Sequence, residues 1–156
     1  MRISAKADYA LRALIELAQA TDGAPLRSEA IAAAQEVPHK FLEAILGDLR
    51  KTGFVSSQRG GDGGYRLRRP AEEIQVAHVL RAIDGPLTEI RGGCPEDATY
   101  NSSAAALQLV WVALRVNIRT VLEGVTIAQL AAGGVPPEIE KLTEDPDAWR
   151  THWVIR

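Results

Sequence analysis

Leu26-Arg27-Ser28-Glu29-Ala30-Ile31-Ala32-Ala33-Ala34-Gln35-Glu36-Val37-Pro38-His39-Lys40-Phe41-Leu42-Glu43-Ala44-Ile45-Leu46-Gly47-Asp48-Leu49-Arg50-Lys51-Thr52-Gly53 is the stretch that decides how the chain reads. Leu26 to Ala34 supplies a short helix capped by Ser28, and Gln35-Glu36-Val37 makes a tight turn. Pro38 to Thr52 gives a second helix, with Leu42, Ile45, Leu46 and Leu49 on one face, and Gly53 stops it. Val55-Ser56-Ser57-Gln58 and Tyr65-Arg66-Leu67-Arg68 then flank a tip, Arg59-Gly60-Gly61-Asp62-Gly63-Gly64. A helix-turn-helix followed by a basic, glycine-tipped hairpin is the pattern of a winged DNA-binding unit. The expected fold class is mainly α with a small β-wing: a winged helix-turn-helix domain plus a long dimerisation helix.

The apolar stripe of the second helix fixes its other faces. At 100° per residue the opposite side carries Lys40, Ala44, Gly47 and Lys51, with Glu43 and Arg50 at its edges. Two small residues between two lysines let a helix backbone lie against a groove wall while the lysines reach phosphates. Gly47 costs about 1 kcal/mol against Ala in a helix interior. Either close approach to DNA or relief of crowding against a neighbouring element accounts for it. Pro38 suits the first turn and puts His39 and Lys40 at the helix start, where recognition helices touch bases. His39 is a base reader or an ordinary solvent-exposed residue. The glycine cluster lacks both the dinucleotide spacing and the Gly-Lys-Ser/Thr ending of a phosphate loop. Arg59 and Arg66 flank it, so a wing pressed on DNA is its reading, against a plain hairpin loop. Ser28, His39, Lys40, Glu43, Arg50, Lys51, Arg59, Gly60, Gly61 and Arg66 are the candidate DNA-binding residues.

With 156 residues the chain fits one domain with an appended dimerisation element. Its net charge of −2 argues weakly against nucleic acid, but the charge is unevenly spread. Residues 1–70 carry 11 Lys/Arg against 8 Asp/Glu, a net of +3, and residues 71–156 carry 7 against 12, a net of −5. A basic half joined to an acidic half suits a phosphate-binding module with a separate partner. The single cysteine, Cys94, excludes an intrachain disulfide and any metal site built from several cysteines. Charges within the first eight residues oppose a signal peptide. The most apolar stretch, Ala104 to Leu114, ends at Arg115 and is too short to span a bilayer. A cytoplasmic protein without membrane contact is expected. The histidines, His39, His78 and His152, lie far apart, no nucleophile–base pattern stands at a telling spacing, and an enzyme is not expected.

Around the central unit, Ser4 caps a first helix to about Gln19 with Ala10, Ala13, Leu14, Leu17 and Ala18 as its buried stripe. Asp8, Arg12 and Glu16 form a ladder read as helix-surface pairing. Ala71 to Asp84 is a further amphipathic helix with Val76, Val79, Leu80 and Ile83 apolar. Thr88 to Asn101 is a long loop without clear structure of its own, a feature that often marks a functional segment. The longest helix starts at Ser102 or Ser103 and runs to Glu123. Leu107, Trp111, Leu114, Ile118 and Val121 make a heptad-like seam along it. Leu109, Val110, Val112, Ala113 and Val116 leave its first half apolar nearly all round, which suits a homodimer, with packing inside one chain as the alternative. Thr126 caps a short helix through Ala131. Trp149 and Trp153 either dock together on the body or form an exposed partner surface. The organisation is thus 1–84 winged helix-turn-helix, 85–101 sensing-type loop, 102–132 dimerisation helix and following short helix, and 133–156 C-terminal extension.

Several motifs together resemble the Rrf-two family of bacterial winged-helix transcription regulators. They are Met1-Arg2-Ile3-Ser4 with Asp8-Tyr9-Ala10-Leu11-Arg12, Phe41-Leu42 to Leu49-Arg50-Lys51-Thr52-Gly53, Ser57-Gln58-Arg59-Gly60, Gly63-Gly64-Tyr65-Arg66-Leu67, and Val125-Thr126-Ile127-Ala128-Gln129-Leu130. The resemblance implies a homodimer that crosses its long helices, binds a palindromic double-stranded DNA operator and acts as a repressor. Cluster-binding members place three cysteines at six-residue intervals before the long helix; here those places hold Cys94, Tyr100 and Ala106. Asp8 stands where some members offer a ligand from the other subunit. Tyrosine and alanine do not replace thiolates, so neither an iron–sulfur cluster nor any other cofactor or metal is expected. Three effector readings stay open: a small ligand, a protein partner, or Cys94 as a one-thiol redox sensor, whose acidic sequence neighbours Glu96 and Asp97 would raise its pKa. The same fold without operator binding would be a protein-interaction module.

Overall fold

Ser4 begins the first helix as its side chain dictates: its hydroxyl accepts the backbone N–H of Ala7, and α1 runs Ala5–Gln19. The computed structural model describes residues 2–151. Ala10, Ala13, Leu14 and Leu17 of α1 are buried at the centre of the main hydrophobic core. Helices α2 (Ser28–Gln35) and α3 (His39–Lys51) pack against α1, and Leu42, Ile45, Leu46 and Leu49 of α3 are wholly buried. Between them Glu36 adopts the left-handed conformation, φ 52° and ψ 41°, and its N–H reaches the carbonyls of Ala32 and Ala33. The wing is an antiparallel pair, β1 (Val55–Gln58) and β2 (Gly64–Leu67), in the register Val55↔Leu67 to Gln58↔Gly64.

Three local expectations change here. Leu26 is not helical: it exchanges backbone hydrogen bonds with Tyr65 at 2.8 and 2.7 Å, adding a one-residue third strand to the wing. Ser28 is not the cap of α2, because Arg27 holds that position and Ser28 lies inside the first turn. The ladder on α1 is more than surface pairing. Arg12 meets Asp8 at 3.6 Å, but its guanidinium also donates to the side chain and carbonyl of Gln35, whose amide donates to Glu16 at 2.6 Å. The ladder clasps the end of α2 onto α1.

Residues 71–73 form a 3₁₀ turn and α4 starts only at Val76, running to Asp84. The delay has a cause. Gln75 makes an antiparallel bridge with Thr126, and Val76 N–H donates to Val125 O at 3.0 Å while Ile127 N–H donates to Ile74 O at 2.8 Å. The segment 88–101 is not structureless: Ile90 bridges Gly93, Pro95–Asp97 is a 3₁₀ turn, and Pro95 and Ala98 are buried. The long helix α5 spans Ala106–Gly124 after a 3₁₀ turn at Ser102–Ala104, and none of its residues is buried. A helix tolerates Arg115 and Arg119 within it. The apolar segment is therefore longer than Ala104 to Leu114: an 18-residue window within Ser102–Gly124 has mean hydropathy 1.4, long and apolar enough by length and composition to cross a membrane.

Thr126 and Gln129 form a reciprocal capping box at the start of α6 (Ile127–Ala131), and Ile127 is fully buried in the main core. A short α7 (Pro137–Glu140) sets Ile139 against a smaller cluster of Ala7, Val76, Leu80 and Val125. Trp149 does not dock on the body: it is 77% exposed, with its indole N–H donating to Thr143 O. Trp153 and His152 lie outside the described residues.

Candidate nucleic-acid interface

The buried stripe of α3 leaves Lys40, Glu43, Ala44, Arg50 and Lys51 exposed on the outward side. A Cβ added at Gly47 would meet nothing within 4 Å, so no neighbouring element of this chain explains that glycine.

At the start of α3, His39 is held rather than loose. Its Nε2 lies 3.0 Å from Ser28 Oγ, 3.8 Å from Glu29 and 3.9 Å from Glu43, so the two helices of the unit meet at this imidazole. Glu29 stays below the ordinary carboxylate range because its own backbone N–H, free at the helix start, bonds the carboxylate; burial opposes this and His39 adds to it. At the far end of α3, Asp48 takes Lys6 at 2.7 Å and Lys51 at 3.1 Å. These bonds, Lys6 first, hold its carboxyl low. Lys51 is thus held at its ammonium tip while its side chain remains 75% exposed. Sequence reading missed Asp48, although its three-residue spacing from Lys51 was visible.

Arg50 reaches from α3 to the wing, donating to Ser57 Oγ at 3.3 Å, and Arg27 donates to Gly61 O at the wing tip. Both contacts bind the hairpin to the helix pair. A Cβ on Gly63 would come 2.4 Å from Gln58 O, and one on Gly64 would come 2.4 Å from Leu26 O. These two glycines are required by the hairpin itself. Gly61 meets nothing within 4 Å, and Gly60 is demanded only by its φ of 111°. Arg59 and Arg66 are exposed beside them. The side chains of Lys40, Arg59 and Arg66 have no hydrogen-bond or ion-pair partner among the described residues.

The other predicted residues lie elsewhere. Along α5, Leu107 and Leu114 are 41% and 44% exposed, whereas Trp111, Ile118 and Val121 are half-buried. Trp111 donates its indole N–H to Tyr100 Oη at 2.9 Å, and Arg91 covers the Tyr100 ring. Cys94 is exposed. Its acidic neighbour Glu96 turns away to Arg115, which holds the carboxyl low together with Glu96's own backbone N–H, the larger cause. The charged side chains that line the same hollow as Cys94 are Arg81, Arg115 and Arg119. Among the described residues no group of three or more His, Cys, Asp or Glu side chains gathers as a metal site.

A helix pair with an open, lysine-bearing second helix and a basic glycine wing tied to it is a winged helix-turn-helix DNA-binding unit. The family model for Rrf2, described as an iron-dependent transcriptional regulator, matches residues 3–133, and the chain belongs to that family. A Mycobacterium tuberculosis protein, Rv1287, named as an HTH-type transcriptional regulator, is 46% identical over 145 residues, covering 93% of this chain and 90% of its own. The Bacillus subtilis regulator CymR is 30% identical over 132 residues, covering 85% and 91% respectively. A solved structure of B. subtilis CymR, the global cysteine regulator, matches with a TM-score of 0.74 at 28% identity, covering 85% of this chain and 98% of its own. T. potens IscR matches with a TM-score of 0.68 at 28% identity over 85% of this chain and 88% of its own. The protein is a DNA-binding transcriptional regulator.

Proposed function

We propose that the protein is a cytoplasmic repressor that binds a palindromic operator as a homodimer, acts by binding rather than catalysis, and answers to an effector other than an iron–sulfur cluster. The observation that carries the DNA half is the set of exposed basic side chains on α3 and the wing, of which Lys40, Arg59 and Arg66 have no side-chain partner among the described residues. Lys40, Arg50, Lys51, Arg59 and Arg66 contact phosphates there, Gly60 and Gly61 let the wing tip come close, and His39, steadied by Ser28 and flanked by Glu43, faces base edges. The dimer half rests on the open apolar side of α5, where Leu109 is 72%, Val110 54% and Val116 52% exposed. A soluble chain covers such a surface with a second copy.

The residues at the family's cluster positions do not suit a cluster. Cys94 offers one thiolate, the Tyr100 hydroxyl already accepts from Trp111, and Ala106 offers no donor. A mobility-shift titration at two salt concentrations tests the DNA half. Arg59→Ala is expected to weaken operator binding several-fold and lower the salt slope by about one. An unchanged slope would sink the assignment of the wing.

A further inference from the structure

Between α4 and α5 lies a cleft of about 430 Å³ whose lining includes Arg81, Leu87, Thr88, Cys94, Arg115 and Arg119. Two features set it apart. Among the described residues two buried side-chain polar atoms lack a hydrogen-bond partner, Thr88 Oγ1 and Arg115 Nε, and both residues line this cleft. Buried polar groups are nearly always paired, and leaving one unpaired costs about 1–3 kcal/mol. The second feature is charge. Arg115 is met by Glu96, while Arg81 and Arg119 share Glu123, so three guanidiniums face two carboxylates and one positive charge is left over.

We infer that this cleft is the binding site of a small organic carboxylate. The carboxylate accepts from Arg115 Nε and from the Thr88 hydroxyl, and the apolar end lies against Leu87 and Cys94. The volume falls in the range of small-molecule pockets, about 300–1,000 Å³. Planar guanidinium donors suit a carboxylate fork. Arg81 rides on α4, whose Val79 is buried in the main core with the DNA-binding helices, whereas Arg115 and Arg119 ride on α5. A guest that engages both sides fixes the long helix relative to the winged body. That gives the site regulatory meaning, which rests on the reading of the protein as an effector-controlled dimer.

Cys94, the one cysteine of the chain, reports on occupancy without DNA present. Iodoacetate is itself a small carboxylate, and iodoacetamide is its neutral counterpart. Alkylation of the full-length protein by each is followed by mass spectrometry. The expected iodoacetate-to-iodoacetamide rate ratio is roughly tenfold above that of N-acetylcysteine, as charge focusing in a cleft produces. The iodoacetate rate should saturate with concentration and slow when acetate replaces chloride at constant ionic strength. Thr88→Val and Arg115→Gln should each lower the ratio several-fold, the threonine variant guarding against a folding defect in the arginine one. A ratio equal to that of N-acetylcysteine, a rate that never saturates or ignores acetate, or a ratio unmoved by Thr88→Val overturns the proposal. Failure of operator binding would leave this readout untouched, so the two readings fail separately.

Discussion

The glycines of the wing divide into two kinds, and substitution separates them. Gly64→Ala forces a Cβ to 2.4 Å from Leu26 O, a distance no neighbouring backbone tolerates. It should lower stability by on the order of 2 kcal/mol, read as a drop in the denaturant midpoint. Gly61→Ala meets open space and should leave that midpoint unchanged while weakening operator binding. Equal midpoints for the two variants would refute the division. Ser28 illustrates what the sequence could and could not disclose. A serine before an alanine-rich helix reads as a cap, because capping is a local property. That it faces His39 instead depends on how α2 and α3 dock, which one-dimensional spacing does not contain. Ser28→Ala should reduce operator affinity, at a stability cost of no more than about 1 kcal/mol by urea unfolding.

Among the elements, α3 was the most legible, since its stripe of Leu42, Ile45, Leu46 and Leu49 is set by helical period alone and all four are buried. The start of α4 was less so: only the return of Thr126 to Gln75, fifty-one residues along the chain, explains why residues 71–75 do not join the α-helix. The segment 88–101 was misread for the same reason, since its order comes from Trp111 and Arg115 on α5. Gly47→Ala should stabilise α3 by up to about 1 kcal/mol, because nothing obstructs the new methyl group, and should weaken DNA binding. Thermal unfolding and a mobility shift on the same variant would show opposite signs. Acid sensitivity also belongs to an element pair. Glu123 on α5 has its carboxyl held below the ordinary range by Arg81 of α4 and then by Arg119. Its contribution is therefore present above the unfolded-state pKa and lost as pH falls through the lowered folded value. Glu123→Gln should melt lower than wild type at neutral pH, with the gap closing in acid. A constant gap would deny the ion pairs their role.

For the whole molecule, the exposed apolar side of α5 is the feature that matters most. Leu109→Glu with Val116→Glu places charges on two of its most exposed apolar positions. The double variant should run as a folded monomer in light scattering and lose operator affinity by more than tenfold, as a half-site alone would. A dimer that persists would move the interface elsewhere. The bridge of Gln75 to Thr126 has a consequence of another kind. It brings the chain back to the place it left, so the winged body constrains the two ends of the intervening segment and very little of its tip. Lengthening a closed loop adds only about 0.6 kcal/mol per doubling. The tip between Gly85 and Ser103 can therefore be rewritten, lengthened or given new side chains while the body keeps its fold. A winged reader built this way is a chassis, in which the intervening segment is exchanged without redesigning the winged body.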